Sequence, residues 1–162
     1  MKRSVNRKSF KDAIISFLLL SIIVMGISYY FVYKSALIGP VFILLGILNL
    51  IFLKFYHIKI TSVYPDIIFG FIDNGVLVLM AVIGGSIAGV AGAIIGGAAG
   101  NTITDGLGGL FEGHASEKLR KKKITEKRTA ISSTLGKMTG CLFGAGISLS
   151  LIWLIKIILG II

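Results

Sequence analysis

Residues 69–105 read FGFIDNGVLVLMAVIGGSIAGVAGAIIGGAAGNTITD, and this stretch decides the fold. It is apolar and glycine-rich over more than the roughly 20 residues that cross a bilayer, yet it carries Asp73 near one end and Asp105 at the other. An aspartate at membrane depth costs roughly 2.5–3.5 kcal/mol on insertion scales. Asn74 adjoins the first acid and Asn101 precedes the second by four residues. Two costly carboxylates, each with an amide oxygen nearby, point to a cation site.

The rest of the chain agrees with a membrane setting. Its 162 residues are 55% hydrophobic, with a mean hydropathy of +0.92. The pattern predicts an all-α polytopic membrane protein with five spans at about 13–33, 36–53, 66–84, 86–113 and 130–159. The first ends in an aromatic belt of Tyr29, Tyr30, Phe31 and Tyr33. Pro40 is tolerated in the opening turn of the second, and Pro65 is a first-turn residue of the third. Two units follow: residues 1–60, a basic N-terminus with a transmembrane hairpin, and residues 61–162, a three-helix glycine-rich core with a basic connector at 114–129. The start of the chain reads as a retained signal anchor, because its apolar run is long and no small-x-small site follows.

The net charge of +10 does not point to nucleic acid, because the basic residues flank apolar spans. With the N-terminus inside, Lys2, Arg3, Arg7, Lys8, Lys11, Lys54, Lys59, Lys137 and the connector all fall on the inner side. Only Lys34 and Lys156 fall outside. The connector is expected to be a solvated loop touching anionic headgroups. His57 and His114 are isolated, and the single Cys141 belongs to no CxxC or zinc-ligand pattern. No nucleophile–base set or cofactor motif is visible, so the chain does not read as an enzyme.

Glycines recur every three or four residues in two spans: Gly85, Gly89, Gly92, Gly96 and Gly100, then Gly136, Gly140 and Gly144. At this spacing they form a glycine zipper that lets helix backbones approach closely in lipid. Depth then groups the polar residues. Asp73 lies eight residues past Pro65 and Asp105 eight before Gly113, each about 12 Å from the inner face. Lys137 lies seven residues after Ala130, about 10–11 Å in. Asn101, Asp105 and Glu112 share one helical face. Like charges at one level need a bound cation, a shared proton or the Lys137 ammonium. Hard oxygen ligands suit Ca²⁺, Mg²⁺ or Na⁺ rather than Zn²⁺, and Thr102 and Thr104 add hydroxyls. The plainer alternatives are an Asp73–Lys137 structural ion pair with Asp105 protonated or capping, and Lys137 snorkelling to the inner surface. Asn49, alone in the second span, reads as an interhelical hydrogen bonder.

These residues resemble the family of mitochondrial transmembrane protein 65. FGFIDN at 69–74, GNTITD at 100–105 and LGKMTGCLFG at 135–144 match three of its motifs in order and spacing. The chain departs from the pattern at Ile68, where the family has glycine, at Thr104, where it has serine, and at 145–149, which lack its proline. The resemblance implies an inner-membrane protein of sodium-dependent calcium efflux and assigns a role to Asp73, Asn74, Asn101 and Asp105. The short N-terminus points instead to a prokaryotic plasma membrane. A weaker similarity is to the vacuolar iron transporter family, whose connector is Glu-rich where this one is basic. The expected function is therefore a cation transporter or exchanger working as a homodimer. The alternative is a non-transporting scaffold or regulatory subunit assembled through glycine-zipper packing.

Overall fold

The computed structural model describes the backbone of residues 2–31, 35–121 and 129–160, and the side chains of 10–31, 37–111 and 129–160. All regular structure among them is helical: α1 (Lys2–Phe31), α2 (Ser35–Phe55), α3 (Ile60–Lys121) and α4 (Ala130–Ile158). Each of the four has a stretch long and apolar enough to cross a membrane. Most of their large apolar side chains are exposed, from Phe10 and Ile14 on α1 to Leu154 and Ile158 on α4. This is the reverse of a soluble domain and fits lipid as the surrounding solvent.

α3 is two helices joined at a sharp turn. Ala88 (φ −133°, ψ 25°) and Gly89 (φ 60°, ψ −140°) leave the helical region. The second of these conformations is open essentially to glycine alone. The chain then folds back, so that a first limb (60–87) runs antiparallel to a second (90–121). Glycine makes this possible. A Cβ on Gly84 would strike the carbonyl of Gly92, one on Gly96 the carbonyl of Met80, and one on Gly108 the ring of Phe69. Gly89, expected among the packing glycines, is the hinge instead, and a Cβ there would meet nothing. The break falls a turn later than the sequence predicts because Gly85 packs on Ala93 rather than turning.

α3 also begins earlier than expected, at Ile60. Pro65 therefore lies inside the helix rather than in its first turn, close enough to the end that the lost hydrogen bond is tolerated. The polar linker shrinks to a turn held by Tyr56 N–H to Phe52 O and Ser62 N–H to Lys59 O, with His57 at φ 53°. At the other end, helix continues to Lys121, so the first part of the 114–129 connector is helical rather than loop. Residues 122–128 of the connector, like Tyr33 and Lys34, lie outside the described residues, as do the side chains of Glu112 and His114.

α4 is the hub. Thr129 and Ser132 cap its start reciprocally, which fixes where the helix begins. It runs parallel to the first limb of α3, and Gly136, Gly140 and Gly144 seat against Val63, Ile67 and Phe71 in that order. It runs antiparallel to α2, where Gly39 meets Gly146 and Ser150, and Gly46 meets Phe143. α2 thus packs along α4 more extensively than on α1. Asn49 of α2, fully buried, donates to Leu135 O at 3.1 Å and Thr139 Oγ1 at 2.8 Å. Ala13, Leu53, Val63, Ile131 and Leu135 form one apolar cluster. It gathers the start of α1, the end of α2 and the starts of α3 and α4 at one end of the bundle.

Candidate functional site

The hairpin of α3 positions Asp73. Its antiparallel register sets Thr104 of the second limb opposite Asp73 of the first, and Thr104 is almost wholly buried, 1% exposed. The Thr104 hydroxyl donates to Asp73 Oδ1 at 2.5 Å, and its oxygen also lies 3.1 Å from Gly100 O and 3.0 Å from Asn101 O. A hydroxyl has one proton, and the carboxylate is the nearest and most basic of the three acceptors. Asp73 is half-buried. Its second oxygen accepts no hydrogen bond among the described residues. One oxygen is anchored and the other is open.

Asn74 points elsewhere, because adjacent helical residues are about 100° apart. Its amide donates to Cys141 O of α4 at 3.4 Å. Asn74 and Cys141 also line a cleft of about 340 Å³ whose other walls, apart from Ser21, are apolar. Asn101 donates to Asp105 Oδ2 at 2.9 Å along the second limb, and Asp105 is exposed. Thr102, also exposed, donates to Ala98 O of its own helix.

The sequence-predicted set is therefore distributed over three places. Asp73 and Thr104 meet inside the hairpin, Asn74 faces α4, and Asn101 with Asp105 lies on the outer surface of the second limb. Within one chain the two carboxylates do not face each other across the hairpin, because Thr104 rather than its neighbour Asp105 occupies the inner position. Lys137 lies opposite Gly70, three residues short of Asp73 along the first limb. Gly70 of the first limb packs on the Lys137 carbonyl, and Lys137 Nζ lies 4.8 Å from the centre of the Phe69 ring, a cation–π contact. Gly70 also meets Cys141, one turn further along α4, so Lys137 and Cys141 flank the same stretch of the first limb.

One acid escapes the sequence reading. Asp66, 1% exposed, is buried between the first limb and α4, where Ser133 Oγ donates to its Oδ1 at 3.2 Å. Its signal was present: Asp66 and Asp73 are seven apart, two turns along one helical face. Its place beside Pro65 made it read as the start of a helix rather than as part of its packed face. No group of three or more His, Cys, Asp or Glu side chains converges among the described residues. The polar groups here are carboxylate, hydroxyl and amide oxygens, the donor set of hard cations. No family model, curated protein or solved structure matches the chain.

Proposed function

We propose that the protein is a membrane cation transporter or exchanger in which Asp73 binds the transported ion. The observation that carries this is the Asp73 carboxylate itself: fixed through Oδ1 by Thr104 and open at its second oxygen, inside an apolar helical hairpin. An ionisable group at such depth, held in one geometry, is a functional feature by default. Its oxygen chemistry favours Ca²⁺, Na⁺ or Mg²⁺ as cargo. The resemblance to the family of mitochondrial transmembrane protein 65 falls on the same residues and favours sodium–calcium exchange. A prokaryotic plasma membrane is the proposed location.

The two limbs of α3 act as separate spans in this reading, giving five with the N-terminus inside. Support comes from the end of the bundle where Ala13, Leu53, Val63 and Ile131 cluster, because Lys11, Lys54 and Lys59 stand at that same end. Cysteines introduced at positions 2 and 160 should be protected and labelled, respectively, by an impermeant reagent applied outside. The opposite pattern contradicts this topology. The exposed Asn101–Asp105 pair implies a homodimer, because a carboxylate facing lipid is costly and a second copy would cover it. The basic residues of 114–129 would then rest on anionic headgroups.

The scaffold reading draws on a different observation. Asp73 and Asp105 each already have a partner within the chain, Thr104 and Asn101, so neither needs an ion to be hydrogen-bonded. Reconstitution in liposomes separates the two. The transporter reading expects saturable flux of Ca²⁺, Na⁺ or Mg²⁺ that is abolished in a folded Asp73→Asn variant and strongly reduced in Asp105→Asn. Absence of flux for all three ions leaves the scaffold, and normal flux in Asp73→Asn removes Asp73 as the ion's ligand.

A further inference from the structure

We propose that the cleft lined by Ser21, Asn74 and Cys141 binds a small, uncharged, mostly apolar molecule that carries one hydroxyl group and enters from the lipid phase. This goes beyond the cation reading of Asp73 and does not depend on it.

The place of the cleft limits what can enter. It lies where α1, α2 and the first limb of α3 meet α4, and all four contribute to its lining. Cys141 stands about 17 Å along α4 from Ala130, at 1.5 Å per residue. That depth is near the middle of a hydrocarbon core about 30 Å thick. The volume of about 340 Å³ sits at the lower end of the range for small-molecule sites. No charged residue lines the cleft, so an ionised ligand would find no counter-charge where bare charge is costly. The occupant is therefore neutral and small. α1 packs on α4 less extensively than α2 does, so the wall that α1 provides can yield to admit it.

Two half-buried polar side chains decide the rest. Ser86 and Ser150 satisfy their hydroxyls on their own helices, at Ile83 O and Gly146 O. Ser21 does not: its hydroxyl makes no hydrogen bond among the described residues. Asn74 gives its amide to Cys141 O at 3.4 Å, a long bond, and its Oδ1 accepts none among the described residues. Polar groups without partners are costly at this depth, because no water reaches them. A lipid acyl chain in the cleft would leave both unanswered, since hydrocarbon neither donates nor accepts. One hydroxyl answers both: it donates its proton to Asn74 Oδ1, and its oxygen accepts from Ser21 Oγ. The apolar walls then take the remainder of the molecule.

The test uses the full chain in nanodiscs and a benzyl alcohol bearing a trifluoromethyl diazirine as photolabel, with adducts mapped by mass spectrometry. The competitors are para-tert-butylbenzyl alcohol and para-tert-butyltoluene, which differ only in the hydroxyl. Wild type should take saturable label at Val24, Met138 and Leu142. The alcohol should block it at a bilayer concentration about tenfold below that of the toluene, the scale of one hydrogen bond. Ser21→Ala and Asn74→Leu should each cut that advantage to less than about threefold and leave blocking by the toluene unchanged. If Asn74→Leu does not fold, Ser21→Ala carries the expectation alone. Val24→Phe fills the cleft from α1, and in folded protein it should remove the label from Met138 and Leu142. Label that does not saturate in wild type or that persists in Val24→Phe, or an advantage unchanged in the polar variants, overturns the proposal. Equal blocking by alcohol and toluene in wild type overturns it too and leaves an apolar groove filled by lipid tails. None of these outcomes touches ion binding, so the cation reading of Asp73 stands or falls separately.

Discussion

Asp73 and Asp105 lie on facing limbs of one hairpin, and neither has a basic partner on its own limb nearby in sequence. Asp73 points inward, where a buried threonine fixes one of its oxygens. Asp105 points outward, where an amide four residues earlier on its own helix is its hydrogen-bond partner. The inner acid is positioned by tertiary structure and the outer one by local helix geometry. A tertiary anchor holds its geometry only while the hairpin is closed, and a local pair survives any change in packing. The comparison therefore favours Asp73 over Asp105 as the fixed ligand of the proposed cation site. Asp105 is left to whatever covers the second limb.

The largest disturbance comes from the seam that brings the first limb to α4. Gly140→Leu would drive Cβ into the Ile67 carbonyl and against the backbone nitrogen of Phe71. Backbone cannot yield as a flexible side chain does, so the cost should exceed the usual overpacking range of about 1–3 kcal/mol. We expect loss of the folded, monodisperse species on size exclusion. A well-behaved Gly140→Leu protein would mean that α4 does not pack on α3 as described.

Gly89→Ala addresses the hinge. A side chain at φ 60°, ψ −140° should cost about 1–3 kcal/mol in strain. Gly109→Ala, where a Cβ meets nothing, should be neutral or slightly stabilising. Thermal unfolding of the two variants side by side reads the difference. Equal effects would deny the hairpin its glycine turn.

The smallest effect sharpens the comparison most. Thr104→Val removes the hydroxyl that anchors Asp73 while keeping its shape. Hydrogen bonds between membrane helices average about 0.6 kcal/mol and reach about 1.7, so the stability loss should fall in that range. Thr102→Val removes only a bond to its own helix at an exposed position and should change stability by less than about 0.5 kcal/mol. Equal effects in unfolding titrations would show that Thr104 and Asp73 are not coupled.

Much of this arrangement was legible in the sequence. Apolar length and basic flanks gave the helices, and solitary Asn49 read correctly as an interhelical hydrogen bonder. The hinge was not legible, because Gly84, Gly85, Gly89 and Gly92 look alike in a glycine-rich run and only backbone conformation separates them. The side-chain directions of the site were not legible either. Depth along three helices placed Asp73, Asp105 and Lys137 at one level, but rotation about each axis decides what meets what. One position of rotation, about 100°, puts Thr104 inside and Asp105 outside. Asp66 was missed for a related reason: a boundary misplaced by six residues turned a buried acid into an apparent helix start.

The account stands on a cation at Asp73, and equilibrium binding to wild type and Asp73→Asn in nanodiscs addresses that claim most directly. ⁴⁵Ca²⁺ and ²²Na⁺ are the probes, and thermal unfolding confirms that the variant is folded. The account predicts saturable binding of at least one probe to wild type and loss of that binding in folded Asp73→Asn. Binding that survives Asp73→Asn with unchanged affinity, or a wild type that binds neither ion, would contradict it.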